Sequence, residues 1–92
     1  MSNAARITRI RSALQQSLAP EQLQVEDESH LHAGHAGARD GRGHFSVRIV
    51  SSAFDGMLPL ARHRAVYAAV GSMMETDIHA LSIHAQTPAE AE

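Results

Sequence analysis

The stretch that decides the fold runs from His44 to Val70. It begins His44-Phe45-Ser46-Val47-Arg48-Ile49-Val50-Ser51, passes Phe54-Asp55-Gly56, and continues Pro59-Leu60-Ala61-Arg62-His63-Arg64-Ala65-Val66-Tyr67. Phe45, Val47 and Ile49 alternate with polar residues, the two-residue period of a half-buried strand over 44–51. The turn residues around Gly56 end that period. Pro59 then opens a helix where its missing N–H costs nothing. Leu60, His63, Tyr67, Val70 and Met74 follow helical spacing, with Val66 and Met73 flanking, and Thr76 and Asp77 close the helix. A strand followed by a long helix in so short a chain predicts a layer of helix on sheet.

The flanks extend this pattern. Ile7, Ile10, Leu14 and Leu18 recur at three- and four-residue spacing, which predicts a helix over 5–18, capped by Ser2 or Asn3 and stopped before Pro20. Leu23 and Val25 alternate with polar residues, giving a strand over 22–28. Residues 30–43 carry four of the six Gly, three His and two Arg, with no apolar period. They form a long loop, and the strands on either side of it are expected to pair antiparallel. In a small domain such a loop is a place for function. A third strand follows the long helix, with Leu81, Ile83 and Ala85 on one face and Ala80, Ser82 and His84 on the other. The expectation is an α+β fold, helix-strand-strand-helix-helix-strand, with a three-stranded sheet and helices packed on one face. It occupies 5–88 as one domain. Residues 1–4 are set apart as a disordered N-terminus, and 89–92 as a flexible tail.

Composition narrows the function. The chain has 92 residues, no Cys, no Trp, three aromatic rings and a formal charge of -2. One small core fits this length. Without Cys there is no disulfide, zinc ribbon or cysteine nucleophile, and any iron–sulfur cluster must take its thiolates from elsewhere. Near-neutral charge argues against a protein that coats nucleic acid. Seven His in so short a chain would turn -2 into +5 if all were protonated, so sensitivity to metals or pH is expected. No apolar run approaches the ~20 residues that span a bilayer, and a soluble, cytoplasmic, reducing setting is the expectation.

Four constellations can carry chemistry. His30, His32 and His35 in the loop, with His44 at its end, offer imidazoles at a spacing that matches no structural zinc pattern. A polar loop with solvated His accounts for the same residues. Arg62-His63-Arg64 lies in the first turns of the long helix. His63 there is either packed at the border of the core or a ligand, and the two Arg could meet an acidic partner. Asp27-Glu28-Ser29 pairs carboxylates beside a His, as acid–base catalysis uses, but equally suits a strand end with local turn hydrogen bonds. Gly34-His35-Ala36-Gly37 is a bare GxxG. The RNA-binding KH loop of that form joins two helices, whereas this one joins two strands. No nucleophile elbow, P-loop or dinucleotide fingerprint is present.

Asp27-Glu28-Ser29-x-x-His32, His44-Phe45, Ile49-Val50-Ser51, Phe54-x-Gly56, Arg62-His63-Arg64-x-Val66-Tyr67, Ile78-His79-Ala80-Leu81-Ser82-Ile83 and Thr87-Pro88 together resemble the BolA family, from about Ala5 to Pro88. The resemblance implies the BolA-like αββααβ fold, related to class II KH domains. It implies a non-enzymatic adaptor whose partner is a monothiol glutaredoxin, the two proteins sharing a [2Fe–2S] cluster. The glutaredoxin supplies a Cys, glutathione a second thiolate and this chain His, with no cofactor expected in the isolated protein. The family's His in the Arg-His-Arg segment falls on His63. The second ligand falls on His32, with His35 and then His30 as alternatives. The resemblance also carries a second expectation, a DNA-binding regulator of stress response or morphology, with Arg62, Arg64, Arg6 and Arg9, joined by Arg11, as the basic surface. Apart from the resemblance, the histidines themselves allow a third reading, a stand-alone metal site made by His30, His32 and His35.

Overall fold

The computed structural model describes residues 2–29 and 41–92. The loop histidines His30, His32 and His35, and with them Gly34, Gly37 and the stand-alone metal site, lie outside the described residues.

Helix α1 spans Asn3–Leu18, and Ser2 caps it by accepting from the Ala5 N–H. The chain leaves α1 through Ala19 at φ 42, just before Pro20. Strand β1 (Gln22–Asp27) and strand β2 (Gly43–Val50) pair antiparallel, from Gln22↔Val50 to Asp27↔Phe45. A 3-10 turn over Ser52–Phe54 leads to helix α2 (Pro59–Val70), a short helix α3 (Met73–Thr76) and strand β3 (Ile78–Gln86). β3 lies parallel to β2, so the sheet is mixed, in the order β1-β2-β3. A last helical turn, α4, covers Pro88–Ala91. The α+β arrangement is as expected. The α2 connection is the crossover that any parallel pair requires.

One face of the sheet carries Val25, Phe45, Val47, Ile49 and Leu81, which bury against Ile10 and Leu14 of α1 and Val66 and Val70 of α2. Phe54 and Ile78 complete the core, each with no exposed surface. The opposite face shows Gln24, Arg48, Ser82 and His84 to solvent. Strand alternation therefore sorts the side chains as the sequence suggested.

Three details differ from the sequence reading. Helix reaches further toward both ends: Asn3 and Ala4 belong to the first turn of α1, and Pro88–Ala91 form α4. The long helix stops at Val70, because Gly71 adopts φ 56 and ψ -130, a conformation open to glycine alone. The inward stripe of α2 is also rotated. Val66 and Val70 point into the core with Met73 of α3, while Leu60 is 62% and Tyr67 40% exposed. Apolar residues surround α2 on most sides, so spacing alone does not choose its buried face. Half-buried Ala65 and Ala69 flank Val66 and Val70 on the inward side and let the helix approach closely.

Gly43 is fixed by space. A Cβ there would stand 2.6 Å from Cε2 and Cζ of the Phe45 ring, which is itself in the core. Gly43→Ala is expected to destabilise the fold by about 1–3 kcal/mol, the usual cost of overpacking, read as a lower urea midpoint at unchanged slope.

Candidate functional site

The loop between β1 and β2 leaves the sheet at the end where β3 begins, because β2 and β3 are parallel and start together at Gly43↔Ile78. Both of its stems are fastened by polar contacts. On the first stem, the Ser29 N–H donates to Asp27 Oδ1 at 2.8 Å, a local Asx turn. Asn3 Nδ2 donates to Asp27 Oδ2 at 3.1 Å and to Ser29 Oγ at 3.3 Å. The His44 N–H reaches Ser29 Oγ at 3.0 Å, and the Glu28 N–H reaches the His44 carbonyl at 2.7 Å. Glu28 Oε1 accepts from Ser46 Oγ. Asp27, Glu28 and Ser29 thus hold a strand end together, the bland one of their two sequence readings.

On the second stem, Arg6 Nη1 donates to the Gly41 carbonyl at 2.7 Å, and the Gly43 N–H to the Asp77 carbonyl at 2.9 Å. Asp77 is the charged centre here. Its carboxylate takes Arg6 Nε at 3.2 Å, Arg9 Nη1 at 2.9 Å and the Thr76 hydroxyl at 2.9 Å. Burial alone pushes the Asp77 carboxyl up. The hydrogen bonds from Thr76 and Arg6, with the charges of Arg9 and Arg6, outweigh that and hold it below the usual carboxylate range.

At this mouth two imidazoles come together that the sequence reading did not pair. The rings of His44 and His79 have centroids 5.0 Å apart and are tilted by 46°. His44 is buried and His79, the second residue of β3, is exposed. Arg42 bridges the stem to both α3 and β3: Nη1 donates to the Met74 carbonyl at 3.1 Å and Nη2 to His79 Nδ1 at 3.2 Å. A guanidinium only donates, so Nδ1 is the acceptor. Among the described residues no three His, Asp or Glu side chains converge as a complete metal site.

His63 stands elsewhere. It is half-buried on α2, next to Arg62. Arg62 Nε donates to the Met57 carbonyl at 2.9 Å, Nη1 to the Ala85 carbonyl at 3.3 Å, and the two Nη groups to Glu90 at 2.6 and 3.2 Å. Ala85 lies six positions along β3 from His79, about 20 Å at the rise of a strand. The start of α2 is therefore at the opposite end of the sheet from the loop stems. The basic surface is also largely committed. Arg6 and Arg9 serve Asp77, Arg62 serves Glu90, and Arg11 donates to the Leu23 carbonyl. Arg64 is exposed. What could have found His79 in the sequence is the crossover helix itself: it makes β3 parallel to β2 and brings the first residues of β3 to the loop.

Two predictions follow from these ion pairs. Asp77→Asn is expected to lower stability by about 1–3 kcal/mol at pH 7, the scale of hydrogen bonds to a charged group. Since the folded carboxyl titrates below its unfolded value, that contribution is complete above about pH 4 and is lost as pH falls through the folded value. The gap between wild type and variant in urea titrations should close on acidification. At the other end of the sheet, the hydrogen bond from Arg62 leads the effects that lower the Glu90 carboxyl to about 2, and the Thr87 N–H adds to it. The docking of α4 is therefore full at neutral pH and fails only as pH approaches that value, whereas in Glu90→Gln the amides of 88–91 should exchange faster with solvent at every pH.

The family model described as BolA-like protein matches residues 14–90. Protein BOLA1, chloroplastic, of Arabidopsis thaliana is 46% identical over 89 residues, covering 94% of this chain and 56% of that protein. The chain thus spans just over half the length of that relative. The DNA-binding transcriptional regulator BolA of Haemophilus influenzae is 35% identical over 81 residues, covering 88% of this chain and 76% of that one. Among solved structures, the BolA domain of SufE1 from Arabidopsis thaliana superposes with a TM-score of 0.83 at 45% identity, over 94% of this chain and 95% of the other. With the family model spanning most of its length, and the sheet order and helices in agreement, the chain belongs to the BolA family.

Proposed function

We propose that the chain is a non-enzymatic adaptor that completes a [2Fe–2S] cluster shared with a monothiol glutaredoxin, in iron–sulfur trafficking or iron homeostasis. The observation that carries this reading is the exposed His79 imidazole beside His44, at the mouth of a loop that holds three further His, in a chain without Cys. A protein with imidazole donors and no thiolate has half of a mixed ligand set. In the complex the partner's Cys and glutathione supply the thiolates. Imidazole in place of thiolate makes such a cluster less negative and raises its reduction potential.

The ligand pair that suits the site best is His79 with one loop histidine, His32 first, then His35 and His30. His63 remains the competing assignment, and its place beside Arg62, at the far end of the sheet, counts against it. The fastened stems have a role in this reading. Polar contacts from α1 and Asp77 hold both ends of the loop, so its stems are in place before a partner binds. A cytoplasmic, reducing setting goes with the proposal, because the partner's thiols must be reduced to ligate.

The second reading is a DNA-binding regulator, favoured by the name of the Haemophilus relative. Against it, Arg6, Arg9 and Arg62, three of the four arginines expected to lead that surface, are already paired with Asp77 and Glu90.

Both readings are measurable. Mixed with a monothiol glutaredoxin, iron, sulfide and glutathione, the wild-type protein should change the visible absorption and circular dichroism of the cluster. His79→Ala should abolish that change and His63→Ala should keep it. The opposite result would return the ligand role to His63, and a wild-type spectrum from His63→Ala/His79→Ala would remove both residues as ligands. DNA affinity that falls steeply with added salt would favour the regulator.

A further inference from the structure

We propose that Arg42 is a displaceable cap on His79, one that withholds this imidazole from free divalent cations and yields it to a metal centre already neutralised by thiolates and sulfides. The inference rests on the reading of His79 as a ligand. Its geometric basis is the 3.2 Å hydrogen bond from Arg42 Nη2 to His79 Nδ1. Because the guanidinium has donors only, Nδ1 presents its lone pair to Arg42 and the proton of the neutral ring sits on Nε2.

A neutral imidazole that binds metal gives its one lone pair to the ion and carries its proton on the other nitrogen. Ligation through Nδ1 would put the metal where the guanidinium now lies. Ligation through Nε2 would move the proton to Nδ1, where it would face an Arg42 N–H. In neither case can Nδ1 still accept from Arg42. The hydrogen bond and coordination therefore exclude each other, whichever nitrogen is used.

Charge then separates the two classes of ligand. A hydrated divalent cation approaching His79 meets an occupied lone pair and a guanidinium of its own sign. A centre that arrives with two sulfides and two thiolates has no net positive charge at the diferric level, so the like-charge barrier is gone and its sulfur atoms accept from the same guanidinium. The other arm of Arg42 is held by the Met74 carbonyl at 3.1 Å. Once Nη2 lets go, the cation stays tethered beside the site, where it can donate to the sulfur or carboxylate acceptors of the incoming complex. Arg42 is thus a specificity-determining residue at this mouth.

The test is a Zn2+ titration of the isolated full chain, followed by calorimetry and by long-range proton–nitrogen NMR of the His rings. Arg42→Ala should bind Zn2+ about tenfold more tightly than wild type, the worth of one charge-assisted hydrogen bond together with a removed like charge. The gain should vanish in Arg42→Ala/His79→Ala. In the wild-type protein, the His79 Nδ1 resonance should report an unprotonated acceptor before Zn2+ is added, and the Arg42 side-chain N–H signals should move as His79 is occupied. Equal Zn2+ affinity in wild type and Arg42→Ala, with binding still weakened by His79→Ala, would overturn the cap and leave the ligand reading standing. Unmoved Arg42 signals at saturation of His79 would do the same without any variant. Zn2+ binding indifferent to His79→Ala in both backgrounds would overturn the ligand reading and the cap together.

Discussion

The carboxylate of Asp77 joins parts of the chain that are far apart in sequence. It sits almost fully buried where β3 begins, and takes Arg6 and Arg9 from the first half of α1. Its own carbonyl accepts the Gly43 N–H that starts β2. Removing a buried carboxylate from water is expensive unless its lone pairs are filled. Three side-chain donors fill them, so the charge orients α1 against the sheet instead of disrupting the core. The same Arg6 reaches on to the Gly41 carbonyl. The constraint that fixes α1 is thereby also the one that fixes the second stem of the histidine-bearing loop.

The two ends of the sheet have different characters as a result. At the loop end, Asn3, Ser29, Asp27, Arg6 and Asp77 fasten the stems, and the His44 and His79 rings meet at the same end of the sheet. At the far end, Arg62 gathers the Met57 and Ala85 carbonyls and Glu90, tying the start of α2 to the end of β3 and to α4. Both ends are built around arginine, but only the first leaves an exposed imidazole beside the loop. An arginine cluster that looks like one basic surface in the sequence is divided by the fold into separate structural ion pairs.

α2 shows the limit of periodicity when a helix is apolar on most sides. Leu60 and Tyr67 fit an inward stripe as well as Val66 and Val70 do. The choice falls to the second pair, because Ala65 and Ala69 beside them let the helix settle close to its neighbours, where dispersion contacts are densest. His63 turns with the stripe, and its position on α2 follows from that packing rather than from its spacing to the other histidines.

Local chemistry alone determined the order of helices and strands, the alternation of β1, β2 and β3, the Ser2 cap and the start of α2 at Pro59. These depend on side-chain period and on neighbours within a few residues, which sequence displays directly. The stop at Gly71 and the ordered turn after Thr87 were also written there, in a glycine and a Thr-x-x-Glu capping box, though the reading ran the helix past the first and loosened the second. Only the tertiary structure decided which histidines meet. His44 and His79 are adjacent because β2 and β3 run parallel and begin at the same end, and the distance between His63 and the loop stems is set by a helix that must return along the length of the sheet. Such pairings depend on strand direction and crossover, which act over tens of residues and leave no mark in the spacing of the side chains they bring together.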